Sequence, residues 1–239
     1  MSDECNGGDS RRADTVASDA PDAEWPVALS GVTETVVTTL GPNGLWNAAP
    51  LGVFAGGESG ENDGDNGDET DGSDGAGEAE GEHGTAAAPA TARTWGNTRT
   101  RRNFHRQGEG YVQFVDDPVV FADAALSISE SEEPVLESTR AWARVAVEPV
   151  ASGTDDGTEW EQWELRPLES GIESTTVPTI DRGFGAVIEA TVAASRLGVP
   201  GYDDAELRER LEYFASVVDR AGGPRERDAL ERVREHAEW

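Results

Sequence analysis

Residues 56–84 hold eleven Asp or Glu, ten Gly and no large apolar side chain. Such a stretch cannot bury enough surface to offset its own chain entropy, and it predicts a solvated loop. Any core must therefore be assembled from two separate pieces, one before the stretch and one after it. A long surface insertion is compatible with a compact fold, because closure entropy grows only logarithmically with loop length. The plain reading is a tolerated, solubilising insertion; the functional one is a regulatory or partner-binding arm. The first 24 residues are also polar and acidic, and order is expected to begin near Trp25-Pro26. The expected organisation is a disordered tail over 1–24 and a barrel over 25–170, followed by a helical region over 171–239 packed on it. A disordered acidic, Gly-rich insertion over 56–90 interrupts the barrel.

The charge balance sets the environment. The chain has 48 acidic residues against 19 basic ones, a formal net charge of -29, and every basic residue is arginine. Self-repulsion of this size opposes a compact state. Concentrated salt removes it, since the screening length falls to about 3 Å near 1 M. The composition predicts a protein of a salt-loaded cytoplasm. An acidic decoy of nucleic acid fits less well, because the acids are spread along the whole chain. Direct nucleic-acid binding is excluded on the same charge grounds. The single cysteine, Cys5, cannot form an internal disulfide. No apolar run approaches the roughly 18 residues of a membrane span, and the N-terminus lacks the apolar stretch of a secretory signal. A cytoplasmic protein with no membrane partner is expected.

The elements alternate in a way that predicts a mainly β fold with added helices. Val32, Thr33, Thr35, Val36, Val37, Thr38 and Thr39 favour a strand, Gly41-Pro42-Asn43-Gly44 a turn, and Leu45 to Phe54 a returning strand. Thr91 to Trp95 and Gly110 to Val115 are further short strands, separated by a polar loop over Asn97 to Gln107 that leads into a helical turn. Asp117 fits a helix N-cap and Pro118 the first helical position. Arg140 to Val150 and Thr158 to Leu168 form a second hairpin around a turn over Ser152 to Gly157. Trp142, Trp160 and Trp163 are expected to fill the barrel core. Three helices follow: Phe184 to Val192, a second beginning at Asp203 or Asp204, and a last one bearing Leu230 and Val233 after Gly222-Gly223-Pro224. The count is at least six strands and four helices.

Two segments carry chemistry. Arg93 to Arg106 contains five arginines and no acid, in a chain where one residue in five is acidic. Thr98, Thr100 and Asn103 are interleaved with Arg99, Arg101 and Arg102. Guanidinium forks, hydroxyls and backbone N–H groups at the entry of a helix are what a phosphate requires. The alternative is that these arginines pair with acids elsewhere on the surface. In the second segment, Asn47-Ala48-Ala49-Pro50-Leu51-Gly52, small residues let a flat ligand approach the backbone, and Asn47 offers both a donor and an acceptor. Pro50 cannot donate to a ladder, which marks an edge or a bulge. His105, beside the arginines, is read as a surface histidine rather than a proton donor. His83, His105 and His236 have no metal-ligand spacing, and no metal is expected.

Thr33 to Thr39, Asn43-Gly44, Asn47 to Val53, Thr98 to Phe104 and Asp116 to Phe121 occur in fixed order, followed by Asp181-Arg182-Gly183 and Ala186 to Val192. In this the chain resembles an uncharacterised archaeal family of flavin-reductase-like, FMN-binding split barrels. The resemblance spans roughly Gly31 to Glu238 apart from the acidic insertion. It implies a split β-barrel with a helical C-terminal extension, FMN as cofactor, and a homodimer with FMN near the subunit interface. Carried onto this chain, it puts Thr98, Arg99, Thr100 and Asn103 on the FMN phosphate, with Arg101 beside them, and Asn47, Ala48 and Pro50 along the isoalloxazine. It implies a flavin-dependent oxidoreductase taking electrons from a donor such as a nicotinamide or a deazaflavin. The alternative is a non-catalytic FMN carrier, store or sensor; a cofactor-free scaffold is the third reading.

Overall fold

The computed structural model describes residues 23–56, 89–155, 157–237 and 239. The expected disordered tail and most of the acidic insertion lie outside the described residues.

The β-branched run forms strand β1 (Val32–Leu40), which turns at Gly41–Leu45 into β2 (Trp46–Phe54). Gly44 sits at φ +80°, the left-handed region that glycine adopts freely, and Asn43 Oδ1 accepts the Leu45 N–H at 3.2 Å. The chain continues through β3 (Ala90–Trp95), α1 (Arg99–Gln107), β4 (Glu109–Val115), α2 (Pro118–Leu126) and β5 (Ser129–Ser131). The long strands β6 (Thr139–Asp155) and β7 (Thr158–Ile172) follow, and α3 (Arg182–Arg196), α4 (Asp204–Ala221) and α5 (Pro224–Ala237) complete the fold. Six strands close into an antiparallel barrel in the order β1-β4-β6-β7-β3-β2, with β2 pairing back onto β1 along its whole length. The short β5 lies outside the ring, against the start of β2.

Alternation decides the faces. Val37, Leu51, Val53, Val112, Ala143, Val145, Trp163 and Leu165 point into the barrel and pack together with Phe104 of α1. On the outer face Val36 and Ala48 pack against Phe121 and Ala124 of α2. The helical layer has its own core, in which Val187 and Ala190 of α3, Leu207, Leu211 and Val218 of α4 and Leu230 and Val233 of α5 are buried. Gly183 lets α3 approach α4: a Cβ there would lie 2.6 Å from the Gly222 Cα. Among the described residues no helix is long and apolar enough to cross a membrane.

Three features differ from the sequence reading. The polar stretch before β4 is a full helix, α1, capped by the Thr98 side chain on the Arg101 N–H at 3.2 Å and ended by Gly108 at φ +68°. The second hairpin is longer than expected, with strand pairing continuing through Gly153 to Asp155. The reason is cross-strand cover: the Trp160 ring lies where a Gly153 Cβ would be, at 2.7 Å, and Trp142 covers Gly171 in the same way at 2.8 Å. For the same reason only Trp163 belongs to the core, while Trp142 and Trp160 lie on the outer face, half-buried.

Candidate functional site

Helix α1 lies across one mouth of the barrel, and its two faces have different partners. On the inward face Phe104 is buried against Trp163, with ring centroids 5.2 Å apart. Arg101 and His105 reach the buried Glu161 of β7: Arg101 Nε donates to Glu161 Oε2 at 2.9 Å, and His105 Nε2 lies 2.7 Å from the same oxygen. Arg101 also donates to Glu159 Oε2 at 3.2 Å and to the Gly96 carbonyl at 3.3 Å. Its hydrogen bond to Glu161 leads in holding the guanidinium charged well above its ordinary range. Arg101 is thus a fastener of the helix; His105 is exposed, as the sequence reading expects, and its ring also reaches Glu161 and Trp163.

Arg99 and Asn103 stand four residues apart and so share the other face. Beneath them Thr39 of β1, Asn47 of β2 and Glu130 of β5 form one row, since the registers set Thr39 opposite Asn47 and Asn47 opposite Glu130. Asn103 Nδ2 donates to Thr39 Oγ1 at 2.9 Å, and Arg99 Nη1 donates to Glu130 Oε1 at 2.8 Å. Asn47 lies between these two anchors and is buried. Its Nδ2 has a long contact, 3.4 Å, to the Ala48 carbonyl. The first helical amides, those of Arg99 and Thr100, have no intrahelical acceptor. Arg106 completes the row's far end, donating to Asn103 Oδ1 at 2.8 Å and to the Leu40 carbonyl. Arg102 turns outward onto Asn97, at 2.6 Å from its carbonyl.

The structure therefore brings together Asn47, Arg99, Asn103 and the exposed Thr98 at the start of α1. Thr100 is buried in the helix beside them. Ala48 and Pro50 alternate to the opposite face of β2, where Ala48 is covered by Phe121 and Ala124. The residues sequence reasoning missed are Thr39, Glu130 and Gln113. Gln113 is buried and uses all four of its hydrogen-bonding positions: Nε2 donates to Thr38 Oγ1 and the Pro134 carbonyl, both at 2.9 Å, and Oε1 accepts from the Leu136 N–H at 2.7 Å and Thr139 Oγ1 at 2.6 Å. This network ties the segment after β5 to the barrel wall. A buried glutamine on an alternating strand gives no sequence signal beyond the polarity itself.

On the outer wall, Glu34 of β1 faces Glu189 of α3. Loss of surrounding water raises the Glu34 carboxyl above its usual range, and the Glu189 charge adds to this; the residue is nevertheless exposed, so solvent screens the effect and keeps its share in stability small. Two open clefts, of about 330 and 310 Å³, lie in the helical layer. One is lined by Glu189, Arg196, Tyr213 and Phe214, the other by Val119, Arg225 and Arg232. Neither includes a residue of α1 or β2.

The FMN-bound protein from Methanosarcina mazei, assigned to DUF447, is 23% identical, with 87% of this chain and 96% of that chain covered and a TM-score of 0.63. Nitrilotriacetate monooxygenase component B from Bacillus cereus matches at 16% identity over 74% of this chain and 77% of that one, TM-score 0.38. Flavoredoxin from Methanosarcina acetivorans matches at 13% identity over 65% of this chain and 79% of that one, TM-score 0.35. The architecture is a split β-barrel with a helical C-terminal extension. The family described as "Protein of unknown function (DUF447) N-terminal domain" matches residues 84–174, and its partner "Protein of unknown function (DUF447)" matches residues 181–235. The two together span more than half of the chain, which belongs to the DUF447 family.

Proposed function

We propose that this chain is an FMN-binding flavoprotein that works as a flavin-dependent oxidoreductase, with the phosphate of FMN held at the N-terminus of α1. The observation that carries the reading is the row under α1: the buried amide of Asn47, flanked by Arg99 on Glu130 and by Asn103 on Thr39. These groups fit the cofactor chemically. The first-turn N–H groups, the Thr98 hydroxyl and the Arg99 guanidinium suit a phosphoryl dianion. Asn47 suits the edge of a heterocycle, and the Ala48-Ala49-Pro50 backbone leaves room for a flat ring. Thr100 and Asn103 hold the helix in place beside them, and Arg101 serves by fastening α1 to Glu161. The FMN-bound relative with the same fold supports the choice of flavin.

When bound, FMN supplies hydride and electron transfer. The chain's part is to grip, orient and shield. This accounts for a site built of amides, hydroxyls and a guanidinium, with His105 engaged by Glu161. The site lies on an open surface, which supports a homodimer whose second copy covers it. The acidic, lysine-free composition supports work in a high-salt archaeal cytoplasm. The test is purification in concentrated potassium chloride, a visible spectrum and the mass of any released ligand. A flavin spectrum with the mass of FMN is expected; a colourless protein that takes up no added FMN contradicts the reading. Anaerobic titration with a pyridine nucleotide or a reduced deazaflavin then distinguishes an enzyme, which is reduced, from a carrier, which is not.

A further inference from the structure

Arg99 has a partner whose place is fixed before any ligand arrives. Glu130 Oε1 accepts from Arg99 Nη1 at 2.8 Å and from Asn43 Nδ2 at 3.3 Å. Strand β5 holds Glu130 directly opposite Asn47 through its pairing with β2. The segment that follows is pinned by the Gln113 network at Pro134 and Leu136. The Glu130 side chain is only a quarter exposed. The carboxylate is thus held from both sides rather than swinging on a free loop. One of its oxygens takes donors from two separate elements, a helix N-terminus and a β-turn, which is how a bound anion is held.

We propose that Glu130 is a built-in competitor for the phosphate seat and so a specificity-determining residue of the flavin site. Its carboxylate takes one guanidinium donor, at Arg99 Nη1, and the Asn43 amide, and a ligand that uses these donors must displace it. A phosphoryl dianion, with more charge and three acceptor oxygens, makes that exchange with Arg99 and the free amides of the first turn. A flavin without phosphate has nothing to exchange and leaves the ion pair closed. The pair thereby lowers FMN affinity and leaves riboflavin untouched, so it holds down the preference for FMN that Arg99 supplies, by the strength of one partly exposed ion pair. This inference rests on the flavin reading above.

The experiment is a set of fluorescence titrations with FMN and with riboflavin in concentrated potassium chloride. The proteins are the wild type, Glu130→Gln, Arg99→Gln and the double variant Arg99→Gln/Glu130→Gln. Glu130→Gln keeps the shape and an acceptor for Asn43 but removes the charge. It should bind FMN about fivefold more tightly, the size of one partly exposed ion pair, with riboflavin affinity unchanged. In the Arg99→Gln background the same change should have no effect on FMN. Glu130→Ala, which offers no amide, must act in the same direction as Glu130→Gln. Unchanged or weaker FMN binding in both Glu130 variants overturns the proposal while leaving the flavin reading intact. So does an equal gain for riboflavin, which would mean only a loosened strand, or a gain that persists without Arg99. If none of the proteins binds either flavin, the flavin reading fails and this proposal with it.

Discussion

The barrel mouth under α1 and the helical layer on the outer wall solve the same problem with different chemistry. Both must close a surface in a chain carrying 48 acidic residues. The helical layer does so with an apolar interface of alanines, valines and leucines, and buries Glu226 at its edge, where it accepts from the Gly223 N–H at 2.6 Å. The mouth does so with Phe104 and a polar set in which Arg101 and His105 share one buried carboxylate, Glu161. Apolar closure is insensitive to pH and has nothing left to offer a ligand. Polar closure leaves donors such as Arg99 and the first-turn amides at the rim, next to the buried Asn47. The region proposed to bind FMN is the one closed by charge.

This contrast can be broken by substitution, and the largest effect belongs to the helical layer. Leu211 is fully buried in α4, and Leu211→Ala should cost about 3 kcal/mol in denaturant unfolding through lost burial and a cavity. The FMN-to-riboflavin affinity ratio of the folded fraction should stay unchanged. A changed ratio would mean that the two regions are coupled. Glu161→Gln comes next, at about 2 kcal/mol, because Arg101 loses a buried charged partner. Unlike the first variant it should also weaken FMN binding, since it unfastens the helix that carries Arg99. Gln113→Leu should cost about 1–2 kcal/mol by leaving the Leu136 N–H and the Thr139 hydroxyl without their acceptor. It should blunt the effect of Glu130 on FMN affinity, because β5 is no longer pinned.

The smallest effect sharpens the wall between the two regions. Glu34 sits where the helical layer meets the barrel, with its carboxyl raised by burial and by Glu189. A carboxyl whose folded pKa exceeds its unfolded value costs nothing while both states are protonated. It opposes folding once the pH has risen past the folded pKa. Wild-type stability should therefore fall as pH climbs from the ordinary carboxylate range through that raised value. Glu34→Gln should remove this fall, raising the melting temperature near neutral pH and giving no gain in acid. A gain of equal size at both pH values would contradict the assignment.

The same contrast explains what the sequence made legible. Helices α3 to α5 were readable because their apolar spacing is local, and Asp117, Asp181 and Asp203 each cap a helix as such residues do. The first hairpin was readable from β-branched residues before a Gly-Pro-Asn-Gly turn. Helix α1 was read as loop because its apolar face is a single phenylalanine. Its remaining contacts are charged, and their partners Glu130 and Glu161 lie about thirty and sixty residues away in the chain. The anion-binding character of the arginine run was legible in composition, but the division of labour was not. Arg99 at the rim and Arg101 in the mouth differ only in helix phase, which required knowing that the helix exists. The long β6–β7 hairpin was cut short because Gly153 reads as a turn residue, and only the opposing Trp160 makes it a strand residue.

The central claim is that the rim of α1 grips a phosphate through Arg99, and the ratio of FMN to riboflavin affinity tests it most directly. In concentrated potassium chloride the wild-type chain should prefer FMN by about tenfold or more, the scale of charge-assisted hydrogen bonds. Arg99→Gln should bring the ratio close to one while leaving the melting temperature and riboflavin binding where they were. A wild-type ratio of one, or an Arg99→Gln protein that keeps the full preference, would contradict the account.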